Sequence, residues 1–387
     1  MLIDGRNLWL DLIRGCSALL VCLGHLRNAM LVDYPALVHP NFAVKAFYAI
    51  TSLGHQAVMV FFVLSGYFVG GAVLRAGAKL SWSNYLTSRL TRLWVVLIPC
   101  LIITWAVGLI IAHYAPSVLA GANVDSWHSG PKLGEYSTSF NTLLANLFFM
   151  QTIISPVFGL NSPLWSLANE FWYYLLFPLL LSLIKPLKPS HDIYRIAALV
   201  LVTLMIRCLP KELLYGFLIW MMGVGVYALQ SKIKLLSNNA IRILLFTAIV
   251  LFALALGFSK VSDGLKIMPI QVDLIVGLSF ALLCLMLTNT SLPSLRMLWL
   301  AKGALHLSEI SYSLYLSHFP LVVLIGSTVY SSHKLMPDSL LMAQFIGWSF
   351  LLLVFGSVVW WLFESRTAFV RSKINALFNF TLVKRLA

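Results

Sequence analysis

Arg14 and His25 lie in one apolar stretch, "LDLIRGCSALLVCLGHLRN", with ten residues between them. Ionisable groups within an apolar run are costly and mark function by default. A guanidinium offers a planar donor fork for phosphate. An imidazole can move a proton near neutral pH. On a helix, eleven positions return to within about 20° of the starting face and rise about 16 Å. Ala18 and Val21 lie between the two residues on that stripe, and Asn28 extends it. Asp11, three residues before Arg14, is placed to pair with it. The spacing therefore predicts a cation at one end, a small-residue corridor and an imidazole at the other. The plainer alternative is that Arg14 only pairs with Asp11 and His25 only bonds a neighbouring helix.

Four further stretches carry polar groups in apolar surroundings. In "SPLWSLANEFWYYLLFPLLL" (162–181), Glu170 is a carboxylate that could orient the imidazole of His25. Trp165, Ser166, Asn169 and Tyr173 are its supporting neighbours, although the aromatic residues also suit an interfacial belt. In "HQAVMVFFVLSGYFVGG" (55–71), Ser65 as a nucleophile would need a base, and the Ser65–Gly66 pair reads more simply as close helix packing. In "RLTRLWVVLIP" (89–99), Arg89 and Arg92 share a face, suited either to phosphate or to anchoring at the cytoplasmic surface. In "ISYSLYLSHFPLV" (310–322), Tyr315 and His318 precede Pro320, and His318 fits either a proton relay or a structural histidine at a kink.

The elements that would position these groups are membrane helices. Of the 387 residues, 60% are hydrophobic and 10% charged, against about 25% charged in soluble domains. A spanning helix needs about 20 apolar residues, and ten stretches qualify: 8–30, 52–74, 93–113, 164–184, 193–209, 213–229, 241–258, 269–288, 308–329 and 340–363. The stretch 141–160 is apolar but broken by Asn141, Asn146, Gln151 and Pro156. With this stretch not crossing and the N-terminus cytoplasmic, the inside segments hold more than twice as many Lys and Arg as the outside ones. Letting it cross reverses the bias. The positive-inside rule thus favours an all-α, polytopic protein with ten spans, both termini cytoplasmic and a re-entrant segment near 141–160.

Residues 1–363 then form one integral-membrane domain and 364–387 a basic cytoplasmic tail drawn to anionic lipid. The segment 80–92 reads as an amphipathic helix leading into the third span. The first span carries charges and lacks a cleavage site, so no cleavable signal peptide is expected. The net charge of +14 is assigned to cytoplasmic loops rather than nucleic-acid binding. The five cysteines lie in or at the ends of apolar runs without metal-ligand spacing, so neither a disulfide framework nor a metal is expected. The oligomeric state is not set by the sequence.

In order, "LDLIRG…H", "VFFVLSGYFVG", "RLTRLWVVLIP", "LWSLANEFWYYLLFPLLL" and "ISYSLYLSHFPL" resemble the acyltransferase-3 family of membrane acyltransferases. The resemblance covers most of the chain, and it departs in two places: Asn169 stands where the family often has a second acid, and Ser317 where it has an aromatic. It implies a multi-pass protein of the plasma membrane with ten helices, transferring an acyl group from acetyl-CoA or another acyl-CoA. The implied acceptor is a hydroxyl of an envelope, exported or lipid-linked glycan. Without a fused esterase-like domain, the chain resembles a stand-alone member. On this reading Arg14, Arg89 and Arg92 bind the donor at the cytoplasmic face. The pantetheine arm follows the Ala18–Val21 corridor, and His25, oriented by Glu170, acts as base or acyl carrier. Asp11, Asn28, Ser65 and the residues around Glu170 and His318 support the site. The competing reading is a transporter or flippase, which predicts repeated halves with broken helices.

Overall fold

The computed structural model describes residues 2–3, 6–121, 133–184, 192–233, 235–262, 267–290, 298–331 and 333–386. Apart from a two-residue ladder between Leu2–Ile3 and Arg6–Asn7, its regular structure is helical. Among the described residues, nine helices are long and apolar enough to cross a membrane. The expected span at 193–209 is a 17-residue helix, Asp192–Cys208. That is the lower limit of spanning length, which is the difference between the ten expected and the nine found. The chain is an all-α, multi-pass membrane protein. Helix is the backbone form that satisfies its own polar groups where no water can.

The chain divides into two compact units. The first comprises Met1–Val21, Phe47–Lys79 and Ser166–Glu309. Its tightest packing joins the Gly54–Lys79 span to Lys211–Ile233. A Cβ on Gly66 would stand 1.9 Å from the Trp220 carbonyl oxygen, and one on Gly223 1.9 Å from that of Val63. The two backbones therefore touch, as the Ser65–Gly66 pair suggests. Beside this crossing the chain is π-wound over Gly66–Gly70, a local widening frequent at functional sites. Trp220, fully buried, stacks on Phe217 and meets Tyr173 and Phe177. The Asn238–Val261 helix opens on a Ser237 cap and leaves Ile243, Phe246 and Leu254 exposed. Such an apolar outer face suits lipid.

The second unit comprises Cys22–Ala46, Leu80–Trp165 and Ile310–Ala387. Segment 80–92 and the third span form one helix, Trp82–Tyr114, capped by Ser81. The stretch 141–160 does not cross. Its helix, Phe140–Leu147, has 8 residues, about 12 Å at 1.5 Å per residue, and the chain then runs irregularly. The polar residues that interrupt its apolar pattern hold that irregular backbone. Asn146 donates to the carbonyls of Thr142 (2.9 Å) and Pro156 (3.0 Å) and accepts from the Phe158 amide (2.9 Å). Gln151 donates to the Leu164 carbonyl at 2.9 Å. Both side chains are fully buried, so protein, not lipid, surrounds this backbone. Phe149 and Thr152 adopt left-handed φ of 60° and 64° within it.

Asn161 performs a related task. Pro320 lies inside the Leu298–Leu324 helix and has no N–H to give the Leu316 carbonyl. Asn161 Nδ2 donates to that carbonyl at 2.8 Å and to Thr104 Oγ1 at 3.2 Å. Replacing Asn161 with leucine leaves a buried carbonyl unpaired, at a cost of about 1–3 kcal/mol. The expected result is a lower melting temperature of the detergent-solubilised chain in tryptophan fluorescence, and an unchanged one would contradict this role.

The C-terminal segment begins with a short turn, Glu364–Arg366, and the Thr367–Leu386 helix. Arg371 donates to Ser88 at 3.3 Å. Glu364 accepts from the Ser313 amide (3.2 Å) and hydroxyl (2.6 Å), tying the start of this segment to the helix that carries His318.

Candidate active site

His25 sits on the Leu8–Met30 helix, past the midpoint, and belongs to the second unit. Its half-buried ring lies against His318, with centroids 5.4 Å apart, and meets the edge of Phe319 at 4.8 Å. His318 is wholly enclosed, and Tyr315 stands 6.1 Å from its ring. The Tyr315 hydroxyl donates to the Pro163 carbonyl at 3.4 Å. His318 Nδ1 lies 3.0 Å from the Leu314 carbonyl. A carbonyl only accepts, so Nδ1 carries the proton in the neutral ring and Nε2 presents its lone pair. That Nε2 is buried and has no hydrogen-bond partner among the described residues.

One turn beyond His25 on the same helix, Asn28 Oδ1 accepts from Lys334 Nζ at 3.3 Å. The same ammonium pairs with Asp33 at 3.0 Å. The Leu335 amide donates to Met30 O at 2.9 Å and the Val32 amide to Leu335 O at 3.1 Å, closing the C-terminal end of the first helix.

Arg14 and Asp11 form the expected ion pair at 3.1 Å in the first unit. Ser308, which the sequence reading missed, completes it. Arg14 Nε donates to Ser308 Oγ at 2.9 Å, and Ser308 donates to Asp11 Oδ1 at 2.8 Å. The guanidinium is held in one orientation rather than swinging freely. Between Arg14 and His25, the expected corridor is a correction: Ala18 is 0% and Val21 2% exposed. Gly54 places backbone against Val21, with an added Cβ 3.6 Å from the Val21 Cα, and Gly15 does the same against Leu307. Ala18 and Val21 are covered by the surrounding chain.

Glu170, also in the first unit, accepts from Ser65 Oγ at 2.8 Å and from Tyr174 OH. Trp220 Nε1 donates to Ser65 at 3.1 Å. Ser65 is thus bonded to a carboxylate at the mouth of the π turn. Tyr173 OH donates to Leu213 O at 2.9 Å, a packing role. Ser166 and Asn169 are buried on the same helix, and Trp165 is half-buried. Arg89, in the second unit, lies over the Tyr85 ring at 6.0 Å from its centroid. Its buried Nε has no partner among the described residues, while Arg92 is exposed. Among the described residues no group of His, Cys, Asp and Glu could hold a metal ion.

Residues 7–365 match the acyltransferase-3 family model, described as an acyltransferase domain. The chain belongs to that family. A curated relative, Acyltransferase MdmB from Streptomyces mycarofaciens, is 30% identical over 144 residues, 35% of this chain. The matched part spans 30% of that relative's length. No solved structure matches the chain. The His25–His318 pair and the three arginines lie within the matched residues.

Proposed function

We propose that this acyltransferase moves an acetyl group from cytoplasmic acetyl-CoA to a hydroxyl of an envelope or exported carbohydrate, in the plasma membrane. The observation that carries the reading is the contact between His25 and His318, whose lone pair faces no partner in a buried site. Acetyl-CoA carries phosphates that cannot enter the bilayer core, so it approaches from the cytoplasm. Arg89 and Arg92, at the start of their span, and the oriented Arg14 supply donors to those phosphates. His25 meets the thioester, either taking the acceptor proton or carrying the acyl group. The acceptor is a glycan, lipid-linked or growing, which approaches from the outer side. Ser65 and Glu170 form a bonded pair that steadies the π turn.

Mass spectrometry of cell-envelope and secreted glycans from cells with and without the gene tests the proposal. Loss of an acetyl group from one glycan species in the deleted strain, restored by the gene, is the expected result. Identical glycan profiles in both strains would overturn it.

A further inference from the structure

The geometry points to His318 as a second catalytic residue: its Nε2 takes the proton of the acceptor hydroxyl, while His25 carries the acyl group. This division rests on the acyltransferase reading above and goes beyond it by giving each imidazole one task.

Three observations carry it. First, the Nδ1–H of His318 is engaged with its own helix at the Leu314 carbonyl, so the tautomer is fixed and Nε2 is the basic atom. Second, Nε2 is fully buried and lacks a partner among the described residues. Buried polar atoms are nearly always paired, and an exception calls for a functional account. Third, the two rings lie 5.4 Å apart, tilted by 34°, with Phe319 flanking both. Nε2 thus belongs to a ring packed against His25. The helix around His318 is built to hold the ring. Ser317 bonds back to the Ser313 carbonyl at 2.7 Å, and Asn161 secures Leu316 O below Pro320.

The chemistry balances without a further reactant. A ring nitrogen of His25 attacks the thioester carbonyl, the N–acyl bond forms and the C–S bond breaks. The thiolate leaves as the free thiol, taking the proton from the other nitrogen of His25. The acceptor oxygen then attacks the acyl carbon as His318 Nε2 receives its proton. The C–N bond breaks as the proton passes from His318 to the other nitrogen of His25, the one that protonated the thiol. Both rings return to their starting states, and the products are the ester and CoA.

The test uses native membrane vesicles carrying the full chain, supplied with [14C]acetyl-CoA, with label counted in the vesicle glycans. His318→Asn keeps an amide N–H near the position of Nδ1, able to bond Leu314 O, and removes Nε2. At saturating acetyl-CoA its rate should fall about 100-fold or more. The kcat/KM for acetyl-CoA should hold, since only the second half-reaction slows, and the residual rate should rise about tenfold per pH unit as hydroxide replaces the base. A rate within about fivefold of the parent chain, on the scale set for general bases, would overturn the proposal. So would a fall accompanied by a raised KM or by an unaltered pH profile, since that is the signature of lost packing. Failure of the underlying acyltransferase reading looks different: the parent chain itself would incorporate no label.

Discussion

Alanine in place of His25 is expected to lower acetyl transfer about 1,000-fold or more, with expression and membrane insertion intact. Both candidate chemistries place the reacting bond at this ring, so no route bypasses it. The ring contributes little to the fold: its described partners are the rings of His318 and Phe319, and it is half-buried. His25→Gln, which keeps most of the volume, should be as inactive as the alanine variant. Label transfer from [14C]acetyl-CoA into vesicle glycans, normalised to the chain present by immunoblot, is the readout. Activity of His25→Gln near the parent value would leave the ring with a packing role alone.

The second large effect is on the fold. Gly66→Ala should prevent assembly of the first unit. The new Cβ falls 1.9 Å from the Trp220 carbonyl oxygen and 2.9 Å from its carbon. Both are backbone atoms of a helix, so neither can rotate away. The helices must separate, which also pulls Trp220 from Ser65 and Ser65 from Glu170. Overpacking costs about 1–3 kcal/mol where side chains can yield, and here only backbone can. Gly54→Ala is the control, because its Cβ would meet nothing nearer than 3.6 Å. Size-exclusion chromatography of the solubilised chain should show loss of the monodisperse peak for Gly66→Ala and its retention for Gly54→Ala. A normal peak for Gly66→Ala would contradict the close crossing.

The local features were legible in the sequence because helical periodicity fixes them. Asp11 and Arg14 are three apart, and they pair. Asn146, Gln151 and Pro156 interrupt an apolar run, and that run fails to cross. Ser65–Gly66 marks a packing crossing, and the backbones touch there. What periodicity does not reveal is what meets a face from elsewhere in the chain. The Arg14–His25 stripe could be drawn on one helix, but only the fold shows Gly54 filling it at Val21. Ser308, Asn161 and Glu364 carried no signal of their own. Each acts on a group far away in the chain: the Arg14 guanidinium, the carbonyl freed by Pro320, and the Ser313 amide. His25 and His318 were each visible as odd residues in apolar runs, yet their pairing needed the two helices in place.

The most direct test of the central claim is release of free CoA thiol from acetyl-CoA by the purified full chain in lipid vesicles, with and without glycan extracted from the same membranes. The parent chain should release thiol at a rate that depends on the glycan extract, and His25→Ala should not exceed the protein-free background. Equal thiol release by both chains, or none by the parent chain with extract present, would contradict a His25-centred acetyl transfer.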